Sequence, residues 1–98
     1  MDEVTREAVD RLLKLAQSDT GQARRIANFL LAWWNAEELG GFDIADLFAV
    51  DAAIARDMSR VFNYLATRSN AEYPEDREPE IREIIRRWRP EVWAKIQA

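Results

Sequence analysis

Five carboxylates fall within one short span, Glu37, Glu38, Asp43, Asp46 and Asp51, and they are the first residues whose type and spacing could do chemistry. Calcium binding would need alternating acids around a central glycine in one loop, and this spacing lacks that pattern. Two-metal hydrolysis would ordinarily draw on histidine, and the chain has none. General acid-base catalysis by a carboxylate pair needs a cleft and shifted pKa values, which spacing alone does not supply. Recognition remains: an acidic helical face can compete for an arginine-lined groove on a partner. Glu37 and Glu38 also stand in the last turn of a helix, where the dipole disfavours negative charge. On a continuous helix Glu37 shares the angle of Ile26 and Leu30. An ion pair with an arginine of another helix, such as Arg60, or exposure at a frayed end is the plain explanation.

The bases form two sets. Arg56, Arg60, Asn63 and Thr67 fall on one helical line, and Arg86, Arg87 and Arg89 cluster around Trp88. Arginine and asparagine on one helix face can contact phosphates and base edges, which gives an alternative reading as a small DNA-binding regulator. A helix-turn-helix would pair a short helix at Ile44 to Ala49 with the helix that starts at Ala52. Asp43, Asp46, Asp51 and Asp57 crowd the end that would enter the groove, which opposes that alternative. Trp33 and Trp34 are adjacent and point about 100° apart. Both fit a wide core-facing arc, whereas an exposed tryptophan would mark a partner surface or a homodimer contact.

Composition excludes much else. Without cysteine or histidine there are no disulfides, thiol nucleophiles or imidazole bases, and the usual zinc sites are absent. No glycine-rich phosphate loop or nucleophile elbow is present. The expectation is a protein that is not an enzyme and holds neither cofactor nor metal. Net charge is −4, which weighs against non-specific nucleic-acid binding. The charge is unevenly placed: residues 37–57 carry −5 and residues 81–98 carry +3. Arginine outnumbers lysine 12 to 2, a bias that suits multi-donor pairing at protein surfaces but that GC-rich codon usage also produces. No apolar run is long enough to span a membrane and no leader pattern is seen, so a cytoplasmic location is expected.

The elements that must position these residues read as all-α, a compact single-domain bundle over residues 1–98 with about four main helices and short connecting ones. Residues 4–17 form the first helix, with Val4, Ala8, Leu12 and Leu15 on one stripe and Val9, Leu13 and Ala16 widening it. Asp19 or Thr20 caps the central helix, Gly21 to Leu39, whose apolar residues cover roughly 200° of surface and so require neighbours on at least two sides. Gly40 and Gly41 end it. Asp43 caps the short helix, with Phe42 and Leu47 as its hydrophobic staple. Ile54, Met58, Val61, Phe62 and Leu65 form the buried face of the next helix. Residues 69–78 read as the longest and most mobile loop. Pro79 then opens a helix with Ile81, Ile84, Ile85 and Trp88 inward, and Pro90 breaks it to start a last short one.

The segments Asp19-Thr20-Gly21-Gln22, Phe29-Leu30-Leu31-Ala32-Trp33-Trp34-Asn35-Ala36-Glu37-Glu38 and Gly40-Gly41-Phe42-Asp43 carry a resemblance. In them the chain resembles a family of small uncharacterised proteins encoded on proteobacterial plasmids, integrative elements and phages. The likeness extends from the first helix to Trp88-Arg89-Pro90. It implies a setting and no functional residue. Accessory proteins of mobile elements often bind and inhibit host machinery, CRISPR effector complexes included. The leading expectation is therefore a non-enzymatic protein of a mobile genetic element, an inhibitor of host defence such as an anti-CRISPR, that occupies a surface of a host protein complex, with the acidic span as its contact.

Overall fold

The computed structural model describes residues 1–97 and is all α among them: α1 (Glu3–Ala16), α2 (Ala23–Leu39), α3 (Ala52–Ala66), α4 (Glu78–Trp88) and α5 (Pro90–Gln97). Two 3-10 helices, Ile44–Ala49 and Glu75–Arg77, lie in the connections. Helices α2 and α3 each pack along α1, while α4 crosses α2 and touches α1, and α5 folds back on α4. The radius of gyration, 12.9 Å, is that of a compact chain of this length.

Helix α1 is the hub, a place that sequence assigned to α2. Its buried side chains are Thr5, Ala8, Val9, Leu12, Leu13 and Ala16. At 100° per residue these span about 140° of arc, with Ala8 at one edge and Leu13 at the other. The expected stripe was rotated from this arc, and Val4 and Leu15 lie outside it, Val4 being 50% exposed. Asp2 caps the helix by accepting from the Thr5 N–H at 2.7 Å, a bond that also holds the Asp2 carboxyl below its ordinary value.

Helix α2 buries Ala23, Ile26, Ala27, Leu30 and Leu31, with Phe29, Trp33 and Trp34 half-buried against the core. Its expected N-cap, Asp19 or Thr20, fails: the N-cap is Gln22, with helical dihedrals and no side-chain cap bond, whereas the expected glycine stop holds at Gly40. At the other end only Gly40 has positive φ, at 95°. Inside the helix Asn35 is non-helical, φ −168° and ψ 84°, and this break decides between the two expectations for Glu37: exposure, and not an ion pair with Arg60. On an unbroken helix Glu37 would lie about 20° from Ile26 and Leu39 about 220° from it. The break re-aims the last turn, so that Leu39 is buried while Glu37 and Glu38 are exposed.

Helix α3 buries Ile54, Met58 and Val61. Phe62, expected in the core, is 68% exposed. It sits at the margin of the arc, and because α3 packs mainly against α1, only a narrow stripe is covered. The loop expected to be mobile is firmly tied. The Trp33 indole donates to the Glu72 carbonyl at 2.8 Å, and the Tyr64 hydroxyl donates to the Glu72 carboxylate at 2.8 Å. Pro74 is fully buried. Arg77 forks onto Asp10 at 2.7 and 3.2 Å, and Arg6 pairs with Asp76. Pro79 falls in the first turn of α4 and Pro90 starts α5, as their backbone constraints require.

Candidate interaction surfaces

The five acids do not form one open face. Glu37 and Glu38 are exposed past the α2 break. Asp43 is a cap, its Oδ1 accepting the Ala45 N–H at 2.9 Å. Asp46 pairs with Arg25 at 3.4 Å. Asp51 is locked in a two-way bond with Gln22: its backbone N–H donates to Oε1 at 2.6 Å, and its carboxylate accepts from Nε2 at 3.1 Å. Asp46 and Asp51 thus hold the Ile44–Ala49 helix against the start of α2, while Asp43 caps it from within. Among the described residues Glu37, Glu38, Asp43 and Asp51 have no cationic partner, so their charge still fringes that helix.

The helix they hold is the unexpected feature. It buries none of its side chains; Phe48 is 93% exposed and Ile44 74% exposed, with Leu47 partly so. Ile44 and Leu47 fall in line along a 3-10 helix, where residues three apart eclipse. The expected staple is replaced, because the Phe42 ring turns inward to meet Phe29 edge to face, centroids 5.3 Å apart. Sequence reasoning passed over Ile44 and Phe48 because their spacing fits a core-facing helix; only the lack of a neighbour above them reveals a surface.

The arginine sets are separated. Arg56 and Arg60 lie along a groove between α1 and α3 whose volume is about 550 Å³, and there Arg11 and Lys14 join them from the facing helix. Arg11 is held in a fork by Asp57, its Nε and Nη2 each donating at 2.9 Å, and Arg56 and Arg60 form no ion pair among the described residues. Asn63 sits farther along α3 beside Arg60, Asp2 and Val4. Arg86 and Arg87 do not extend this line. They belong to α4, where Arg86 pairs with Glu83 and Arg87 with Asp19. Two of the three arginines expected to cluster around Trp88 are therefore paired with acids.

The remaining candidates are structural. The Trp88 indole donates to the Ala16 carbonyl at 2.7 Å, capping the end of α1. Arg89 donates to the Leu39 carbonyl at 2.7 Å, to the Trp88 carbonyl at 2.9 Å and to Asn28 Oδ1 at 2.7 Å. One guanidinium thus closes the ends of α2 and α4 together. Trp93 stacks under Arg82, 5.1 Å from ring centroid to guanidinium. No group of residues among those described has the makeup to hold a metal ion, and no helix is long and apolar enough to cross a membrane.

The model of one protein family, described as a family of unknown function (DUF7673), matches residues 6–89. The matched span runs from α1 to the Arg89 clamp and leaves α5 outside. No curated protein and no solved structure matches the chain.

Proposed function

We propose, for a chain that belongs to the family of unknown function DUF7673, a non-enzymatic binding role in which the Ile44–Ala49 helix enters an apolar, base-rimmed pocket of a partner protein. The observation that carries this reading is the exposure of Phe48 at 93% on a helix anchored before its start by Phe42 on Phe29 and after its end by Asp51 on Gln22. A large aromatic in water on a fixed support presents apolar area at little entropic cost, the profile of a binding hot spot. Exposed acids around it supply steering toward a basic partner. The resemblance to proteins of mobile elements supplies the setting: a host protein complex as target, and inhibition of a host defence such as a CRISPR effector complex as the activity to assay.

Affinity capture from a bacterial host lysate tests this, with nuclease present and with Ile44→Ala plus Phe48→Ala as the matched control. A stoichiometric protein partner that survives nuclease and is lost from the double variant is the expected result. A partner retained by that variant overturns the assignment. The alternative, a small DNA-binding regulator, is favoured by the convergence of Arg56 and Arg60 with Arg11 and Lys14 on one groove. It requires a mobility shift that weakens steeply with salt and disappears in Arg56→Ala plus Arg60→Ala.

A further inference from the structure

The α1/α3 groove and the Ile44–Ala49 helix are complementary to each other, and we infer that two copies of this chain pair through them as a closed two-fold dimer. The groove, about 550 Å³, is bordered by Arg11, Lys14, Arg56 and Arg60 and has Leu15 and Ile54 as its apolar lining. Asp57 is its one acid, and that acid is already occupied by Arg11. This lining selects its occupant. A bare phosphodiester would leave the apolar part unfilled, and a neutral apolar segment would leave the bases without counter-charge. An acidic amphipathic segment satisfies both.

The span Asp43 to Asp51 is such a segment. It carries Ile44, Leu47 and Phe48, which the fold leaves partly or wholly in water, and two acids without a cationic partner, Asp43 and Asp51, on a segment anchored by Phe42 on Phe29 and by Asp51 on Gln22. Its own groove lies close by along the chain, since Ala53 and Ile54 of the groove follow Phe48 by only a few residues. Because the projecting and the receiving halves lie side by side, a two-fold axis between them lets both junctions form at once, and the pair closes at two without propagating. Each dimer then contains two identical junctions, with Phe48 of one protomer in the groove of its partner.

The pairing covers the same residues that the partner-binding reading uses, but it does not depend on any host partner. If both hold, the dimer conceals the binding helix and the monomer is the active form.

Sedimentation velocity of the full chain across the micromolar to millimolar range tests the pairing. The expected result is a reversible shift from the monomer to twice its mass. Phe48→Asp alone, and Arg56→Glu with Arg60→Glu, should each remain monomeric with unchanged far-ultraviolet circular dichroism, because all three residues are exposed. Mixing those two variants is decisive. One retains a groove and the other a helix, so a single junction is restored, and a mixed dimer forms at a concentration about tenfold or more above that of the wild type. Wild-type protein that stays monomeric throughout, a dimer insensitive to both variants, no recovery on mixing, or masses growing beyond two copies would each overturn the inference. So would a groove that takes up a duplex oligonucleotide in a chain that never pairs.

Discussion

Replacing Arg89 should loosen two helices at once, and the size of the effect follows from what its guanidinium touches. In Arg89→Ala the Leu39 carbonyl and Asn28 Oδ1 lose donors at 2.7 Å, and the Trp88 carbonyl loses one at 2.9 Å. Each acceptor stranded in a partly buried site costs about 1–3 kcal/mol. Solvent reaches part of the clamp, so a total of about 3 kcal/mol is the reasoned value. For a domain of this size that corresponds to a fall in Tm of roughly 12–24 °C. Arg89→Lys should recover little of it, because an ammonium on a flexible stem cannot serve three acceptors in a fixed fork. The assay is thermal and urea unfolding followed by circular dichroism. A loss below about 1 kcal/mol in Arg89→Ala, or full recovery by lysine, would refute the idea that this side chain closes the ends of α2 and α4.

Other consequences are simpler to measure. Gly40 has φ 95° and ψ 162°, a region essentially reserved for glycine, so Gly40→Ala should cost about 1–3 kcal/mol in urea unfolding. Gly41→Ala should be nearly silent, since its backbone has no positive φ and nothing lies within 4 Å of an added Cβ. Gln22→Ala removes both bonds to Asp51; a loss of about 1 kcal/mol is expected, with faster amide exchange across residues 44–51. Acid should destabilise the fold. The Tyr64 hydroxyl holds the Glu72 carboxyl below its ordinary 4.5, Arg86 does the same for Glu83, and Arg6 lowers Asp76 from 3.8. A depressed folded pKa gives stability that is present above the unfolded value and lost as pH falls through the folded one. Urea midpoints should therefore be steady from about pH 5.5 to 7, where no histidine titrates, and decline below about pH 4.5. Glu72→Gln should flatten that decline, and a midpoint that rises toward pH 3 would contradict the linkage.

What sequence determined by itself was the class and the punctuation. The 3.6-residue recurrence of apolar side chains gives the helices, and the backbone limits of Pro79, Pro90 and Gly40 give their ends; these are local properties that need no partner. Sequence also placed Ile26, Leu30 and Ile81 inside, because each lies near the middle of its apolar arc, whereas Leu31 and Ile84 lie at arc edges and are buried by the helices beside them. Residues at the margins were decided only by which helix happened to lie beside them. Val4, Leu15 and Phe62 are in water because α1 and α3 share a narrow seam, and Glu37 is exposed because one break at Asn35 turns the helix end. The long-range polar ties, Gln22 to Asp51, Trp33 to Glu72, Trp88 to Ala16 and Arg89 to Leu39, join residues that spacing cannot relate. The candidate surface belongs with them. Sequence left Ile44 and Phe48 unplaced, and they form a surface because no element packs over the short helix that carries them.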